Sequence, residues 1–451
     1  MSNIQLLDLT GANEVRLSQN KRLPFRSHWC LASSTGKAAL LGVALWCLVA
    51  GWPAGATDGP DPICQKGEPV TMAELAKRTT DGVAAIEVKD YAPGHYPGPM
   101  IPSPPHADFN AGKAVVVFWK DPSQRFVFSH EASYCPLLEL TNGTAMCNQF
   151  FEGNFGDAEL FNNGGRRERN SFVEILQRGP QRVWVRWTYF CVSQNENDTK
   201  PRLRGTEDYF AYPNGLVLRR ATYESLMPNE ASGYSTQPVE LFGVLPVGSV
   251  FKDLFSRDAE HGDYGVLAAL DLYSDRRYDI YWDEKGGVRR RGDDATLVKI
   301  GQSAGCALVL PFREKLLFAV LGKASGFPPE NNRIVDHCTP GSQGCGWGQG
   351  LWDHWPIGWQ GSQGHSWAPG SPYAYHYGSI GQFFVPDGKP FDFKRDYDAY
   401  CKDMEFNRWT ERHVFYVLLG SASDWDAVRR IGRSWLDQGN CARPESIAKL
   451  K

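Results

Sequence analysis

The chain has 451 residues, a formal net charge of −3 and 22% charged residues. That balance excludes a nucleic-acid binder held by phosphate contacts, which needs a basic face; the longest basic run, Arg289-Arg290-Arg291, reads as an exposed turn. Aromatic residues make up 13% of the chain, with 15 Trp beside 46 Gly. Indole and phenol rings have an apolar body and a polar tip, which suits the half-polar faces of sugar rings. The plainer alternative is that most of them fill a core.

The N-terminus is predicted to be a cleavable export signal over residues 1–56. Lys21, Arg22, Arg26 and Lys37 precede an uncharged apolar run from Ala38 to Ala50, Pro53 breaks it, and Ala54-Gly55-Ala56 supplies a small-x-small cleavage site. The apolar run is shorter than the roughly 18–20 residues a spanning helix needs, so the expectation is a secreted or periplasmic protein with no stable membrane anchor after cleavage. A retained anchor is the alternative. Of 11 cysteines, Cys30 and Cys47 leave with the leader and nine remain. An oxidising compartment permits bridges, with Cys338–Cys345, Cys135–Cys147 and Cys401–Cys441 as candidate pairs; an odd number leaves at least one thiol free or paired outside the chain. No C-x-x-C occurs, and the spacing of His337, His354, His365 and His376 matches no metal motif. No metal or other cofactor is therefore expected, and nothing in the residues supports Ca²⁺.

Thr71-Met-Ala-Glu74 is a capping box that opens a short helix. Residues 83–88 are predicted as a strand, and the Pro-rich run from Pro93 to Pro105 suits an extended connector. Residues 57–105 thus form an N-terminal segment with a linker, and 106–445 the main body. There strands dominate: 114–119, 125–129, 181–192, 215–223, 277–282, 307–310, 316–321, 382–385 and 413–419 are apolar or alternating runs separated by turn dipeptides. In the longest, Val183, Val185, Trp187, Tyr189 and Cys191 share one face. Ser423-Asp-Trp-Asp426 then caps an amphipathic helix through Leu436. The expected fold is mainly β, a large antiparallel β-sandwich or super-sandwich with a short N-terminal helix and a C-terminal helix.

Three segments carry candidate chemistry. Gly346 to Trp367 holds five Trp and two His on Gly-rich backbone and is followed by Tyr373, Tyr375, His376 and Tyr377. Gly at this density weakens strands, and long polar-aromatic loops on a rigid scaffold collect binding residues. A stapled structural loop is the alternative. In Arg202 to Gly215, strand alternation puts Glu207 and Tyr209 on one face and Asp208 on the other, offering a carboxylate and a phenol to a cleft; a turn carboxylate and a core tyrosine would look the same. In Phe161 to Asn170, Arg166 and Arg167 lie on a glycine turn, where guanidinium forks match a carboxylate, or form a solvated charge run.

Phe151-Glu-Gly153, Arg166 to Glu174, Val183 to Tyr189, Glu207 to Gly215 and His354-Trp-Pro356 resemble marks of secreted β-sandwich proteins associated with bacterial polysaccharide lyases acting on uronic-acid glycans, over roughly residues 110–440. Separately, Gly205-Thr-Glu-Asp-Tyr-Phe210 is similar to the same six-residue run of a jelly-roll family of fructofuranosidases and arabinofuranosidases, in which a Glu is catalytic; Arg204 departs from that family's motif, and the rest of the chain does not follow it.

The first resemblance implies a polysaccharide lyase cleaving beside a uronic acid. A neutralised carboxylate makes the sugar C5–H acidic, a base removes it and an acid protonates the leaving oxygen. His354 or His365 is expected as base and Tyr209 as acid or base. Arg204, Arg166 or Gln363 neutralises the carboxylate, Trp352, Trp355 and Trp359 form sugar platforms, and Arg167 and Tyr377 join them in binding substrate. The second resemblance implies a glycoside hydrolase using Glu207 and a second carboxylate from Asp208, Asp353 or Glu224, at a spacing that sets stereochemistry. A non-catalytic glycan-binding protein fits the same composition. In each case the expected partner is a polysaccharide.

Overall fold

The computed structural model describes residue 77 and residues 82–88, 114–129, 136–148, 152–153, 158–159, 171–193, 201–226, 236–246, 251–260, 262–283, 288–322, 332–336, 375–384, 413–438 and 447–450. The chain divides into two units, Met1–Gly55 and Ala56–Lys451, and all described residues belong to the second.

In chain order the elements are β1 (Val83–Val88), β2 (Ala114–Trp119), β3 (Gln124–Ser129), β4 (Leu137–Leu140), β5 (Ala145–Asn148), the short β6 (Glu152–Gly153) and β7 (Ala158–Glu159), β8 (Ser171–Gln177), β9 (Val183–Ser193), β10 (Pro201–Ala211), β11 (Val217–Ser225) and β12 (Thr236–Leu245). A single turn, α1 (Phe251–Leu254), leads to β13 (Tyr264–Asp271), β14 (Arg277–Trp282), β15 (Val288–Arg291), α2 (Asp294–Gly301), β16 (Cys306–Pro311), β17 (Leu316–Leu321), β18 (Asn332–Asp336), β19 (Tyr375–Phe384), β20 (His413–Ala422) and α3 (Trp425–Asp437).

These strands form two antiparallel sheets of 8 and 10 strands. The smaller runs β1-β2-β3-β4-β5-β12-β19-β18. The larger runs β8-β9-β10-β11-β20-β17-β16-β13-β14-β15. β6 and β7 join them at one margin, through β12 on one side and β9 on the other.

The sheets are pressed together by the apolar sets that alternation puts on their facing sides. Phe126 and Phe128 of β3 meet Tyr209 of β10 at ring-centroid distances of 5.5 and 5.0 Å, and Trp119 Nε1 donates to the Tyr212 carbonyl at 2.6 Å. The far side of the larger sheet carries a second apolar set, Leu270, Val309, Phe318 and Leu418, and α3 covers it with Val428 and Trp435. Helix α2, capped by Asp293 Oδ1 on Thr296 N at 2.8 Å, turns Leu297 and Ile300 into the inter-sheet core. The described body is thus sheet on sheet with one helix outside the larger sheet.

The fold is the mainly β sandwich expected. Strands β1, β2, β14 and β17 coincide with the predicted ranges, and the split faces of β9 are as read: Val183, Val185, Trp187 and Tyr189 are buried between the sheets. Three corrections follow from tertiary pairing. Arg289-Arg290-Arg291 is no exposed turn: it lies in strand β15, paired to β14, with ion pairs from Arg290 to Asp336 and Arg289 to Asp263. Helix α2 buries only Leu297, Ile300 and Gly301, too thin an apolar stripe to mark a helix in the sequence. The N-cap of α3 is Asp424, whose Oδ1 accepts from Ala427 N at 2.7 Å, with Ser423 Oγ donating to its other oxygen. Apart from helical Lys77, the expected N-terminal helix lies outside the described residues. Among the described residues, no helix is long and apolar enough to cross a membrane.

Candidate functional site

The run Gly205 to Phe210 sits in β10, between β9 and β11, and its alternation splits it between two environments. Glu207 faces the inter-sheet core and is fully buried, as is Arg219, its diagonal neighbour on β11, which stands opposite Tyr209. Arg219 donates Nε to Glu207 Oε2 at 2.7 Å and Nη2 to Oε1 at 2.6 Å, a bidentate fork. Three phenols complete the shell: Tyr189 OH donates to Oε1 at 2.7 Å, Tyr209 OH to Oε2 at 2.5 Å and Tyr223 OH to Oε1 at 3.0 Å. Arg219 Nη2 also donates to Tyr223 OH at 2.8 Å, and Nη1 reaches the Pro238 carbonyl of β12 at 2.8 Å, tying the larger sheet to the smaller.

Burial pushes the Tyr189, Tyr209 and Tyr223 phenols well above their ordinary range, and the Glu207 charge adds to the shift. Burial acts to lower the Arg219 pKa, yet Glu207 and the neighbouring phenols more than offset it and hold the guanidinium above its usual value. Gly205 belongs to this arrangement. Tyr189 lies across it, so that a Cβ there would stand 2.1 Å from Tyr189 Cζ. Glycine in mid-strand marks such a close approach.

Asp208 points the other way. Its Oδ1 accepts from Trp184 Nε1 at 2.7 Å and Arg186 Nε at 2.8 Å, and its Oδ2 from Arg186 Nη2 at 3.2 Å and Arg220 Nη2 at 2.6 Å. Burial raises the Asp208 pKa, but the hydrogen bonds from Arg186, Arg220 and Trp184 outweigh it and hold the carboxyl below its ordinary value. The carboxylate is 4% exposed while the two guanidiniums are 34% and 37% exposed, so the acid lies beneath its bases. Arg204 is on this outer face too, exposed, opposite Glu224 of β11. The structure therefore joins Glu207 to Tyr209 and separates both from Arg204.

The aromatic segment is placed by its ends. It leaves the last residue of β18, Asp336, and returns at Tyr375, the first of β19, and these strands are hydrogen-bonded neighbours in register. Asp336 is fixed where the segment departs: its Oδ2 accepts from Arg290 Nε at 2.6 Å and Tyr278 OH at 3.0 Å. Burial, then the Asp336 charge, push the Tyr278 phenol far up. Hairpin connections usually take about 2–5 residues, and much longer excursions tend to be functional or linker segments.

His354, His365, Arg166, Arg167, Trp352, Trp355, Trp359 and Gln363 lie outside the described residues; Tyr377 lies on β19, its side chain likewise outside them. None of the three candidate disulfides has both cysteines among the described residues. Cys306 carries a buried free thiol, its pKa pushed up by burial and then by Asp271. Among the described residues no cluster of His, Cys, Asp or Glu is arranged to hold a metal. Sequence reasoning missed Arg219, Tyr189 and Tyr223 as partners of Glu207, and Arg186 and Arg220 as partners of Asp208. The only available signal was parity along β9 and β11, which needs the register to be read. No family model and no curated protein matches the chain.

Proposed function

We propose that this is an exported polysaccharide lyase that cleaves beside a uronic acid by β-elimination. The observation that carries the reading is the aromatic, histidine-bearing segment inserted between β18 and β19, two neighbouring strands that a short turn would have joined. In this reading an arginine or Gln363 binds the uronate carboxylate and makes C5–H acidic. His354 or His365 takes that proton, the C5–H electrons form the C4–C5 double bond, and the C4–O bond breaks as its oxygen is protonated. Trp352, Trp355 and Trp359 stack on the sugars.

The alternative hydrolase would need Glu207 to attack an anomeric carbon or protonate a leaving group. Five donors occupy the two oxygens of Glu207, which favours the lyase. Tyr209, buried in the inter-sheet core and donating to Glu207 with a raised pKa, is unsuited to act as a base. The test is incubation of the purified protein with a panel of uronic polysaccharides. The expected result is an ultraviolet-absorbing unsaturated product that His354→Ala abolishes. New reducing ends without that absorbance would sink the lyase and revive the hydrolase; affinity with no product would leave a binding protein.

A further inference from the structure

The outer face of the larger sheet, beyond the Glu207 cluster, is built in rows. Glu174, Arg186, Asp208, Arg220 and Tyr416 lie side by side on β8, β9, β10, β11 and β20. One step along the strands, Thr188, Thr206 and Thr222 form a parallel row, closed at the β8 edge by Phe172, which is 45% exposed. One step the other way stand Trp184 and Phe210. Arginines stack on these rings: Arg186 Cζ lies 5.4 Å from the Trp184 centroid, and Arg182 and Arg220 lie 5.5 and 5.4 Å from that of Phe210.

Two guanidiniums share the Asp208 carboxylate, so donors are left over. Among the described residues, Arg186 Nη1 and Arg220 Nε and Nη1 make no hydrogen bond. The rows themselves balance Arg186 and Arg220 against Glu174 and Asp208; Arg182, held by Gln177 Oε1 at 2.9 and 2.7 Å, adds a third cation at their margin beside Phe210. The forks are already oriented by Asp208 and the rings, which lowers the ordering cost of binding an anion.

We infer that this face is a binding site for an acidic polysaccharide strand. Arg186 and Arg220 present N–H forks to a uronate carboxylate, the Thr188 and Thr206 hydroxyls hydrogen-bond to sugar hydroxyls, and the exposed part of the partly buried Trp184 ring meets a sugar. The site lies on the opposite side of the larger sheet from the inter-sheet core, and it rests on the proposed function only for its choice of an acidic glycan. Charge complementarity with the guanidiniums of Arg186, Arg220 and Arg182 selects that ligand over a neutral one.

The test is calorimetric titration of the full chain with an oligouronate and with its carboxyl-reduced, neutral counterpart. The oligouronate binds, more weakly as salt rises, and the neutral oligomer binds at least tenfold more weakly. Arg220→Lys keeps a cation on Asp208 but removes the fork, and weakens oligouronate binding about tenfold, the change that roughly 1.4 kcal/mol produces. Thr206→Val keeps the strand's shape and weakens it severalfold. Thermal melts recorded in parallel report that both variants are folded. Absence of binding by the parent chain, equal affinity for the neutral oligomer, or variants that bind like the parent would each overturn the site. Product formation is read separately: binding that the variants weaken, in a parent that yields no unsaturated product, keeps this face and removes the lyase.

Discussion

Glu207 and Asp208 are consecutive carboxylates, each forked by arginine, and they solve opposite problems. Glu207 is shut between two sheets with one guanidinium and three phenols, so every charge and lone pair must be met by protein. Asp208 lies under two guanidiniums that reach solvent, and water completes what the protein does not. Burying an ion pair carries a desolvation penalty that its mutual attraction repays only with good geometry and full hydrogen bonding. The inner face supplies both. The outer face has no need to, and that is why donors remain there for a ligand.

The largest expected effect tests the inner face. Glu207→Leu leaves Arg219 buried without its counter-charge and should destabilise the protein by about 3–5 kcal/mol in urea melts. Adding Arg219→Met should recover only part of that, because the Tyr189, Tyr209 and Tyr223 hydroxyls still lose their acceptor, at about 1–3 kcal/mol for each one left unsatisfied. A loss for Glu207→Leu no larger than the roughly 0–1 kcal/mol of an exposed pair would erase the distinction between the faces. Next in size is Gly205→Ala. Its Cβ would meet the Tyr189 ring at 2.1 Å, and the ring is held by its own bond to Glu207. Overpacking of this kind costs about 1–3 kcal/mol. Combining Gly205→Ala with Tyr189→Leu should relieve the clash; full additivity of the two losses would show that the ring is not what Gly205 accommodates.

Much of this fold was legible because strand alternation is a local signal. β9 reads its faces directly from Val183, Val185, Trp187 and Tyr189 against Trp184, Arg186 and Thr188, and Glu207 and Asp208 part for the same reason. Pairing is not local. Arg219 lies across a hairpin from Glu207, and Tyr189 comes from the strand on the other side, so neither could be matched without register. β15 reads as a charged turn because its arginines meet their partners Asp336 and Asp263 only after distant segments fold against it. The aromatic segment was visible in composition; its place between adjacent strands β18 and β19 was not, since their pairing spans the segment itself.

The smallest expected effect belongs to the outer face and has a definite sign. The arginine and Trp184 hydrogen bonds hold the folded Asp208 pKa below its ordinary value of 3.8. A depressed carboxylate stabilises the fold above its unfolded pKa and loses that contribution as pH falls through the folded one. Its share of stability is therefore constant at neutral pH and disappears in the acid range below about 4. Asp208→Asn removes the charge at every pH but keeps an acceptor for Trp184 or one guanidinium, so its loss at pH 7 should be modest, about 1 kcal/mol or less per exposed pair. The variant's deficit should shrink towards zero as the parent's Asp208 is protonated. Urea melts of parent and variant in steps from pH 7 down into the acid range below the ordinary carboxylate pKa measure this directly. A deficit that stays constant across that range would mean that Asp208 contributes through its shape and hydrogen bonds rather than its charge, and the two guanidiniums would then be oriented by their stacking on Trp184 and Phe210 alone.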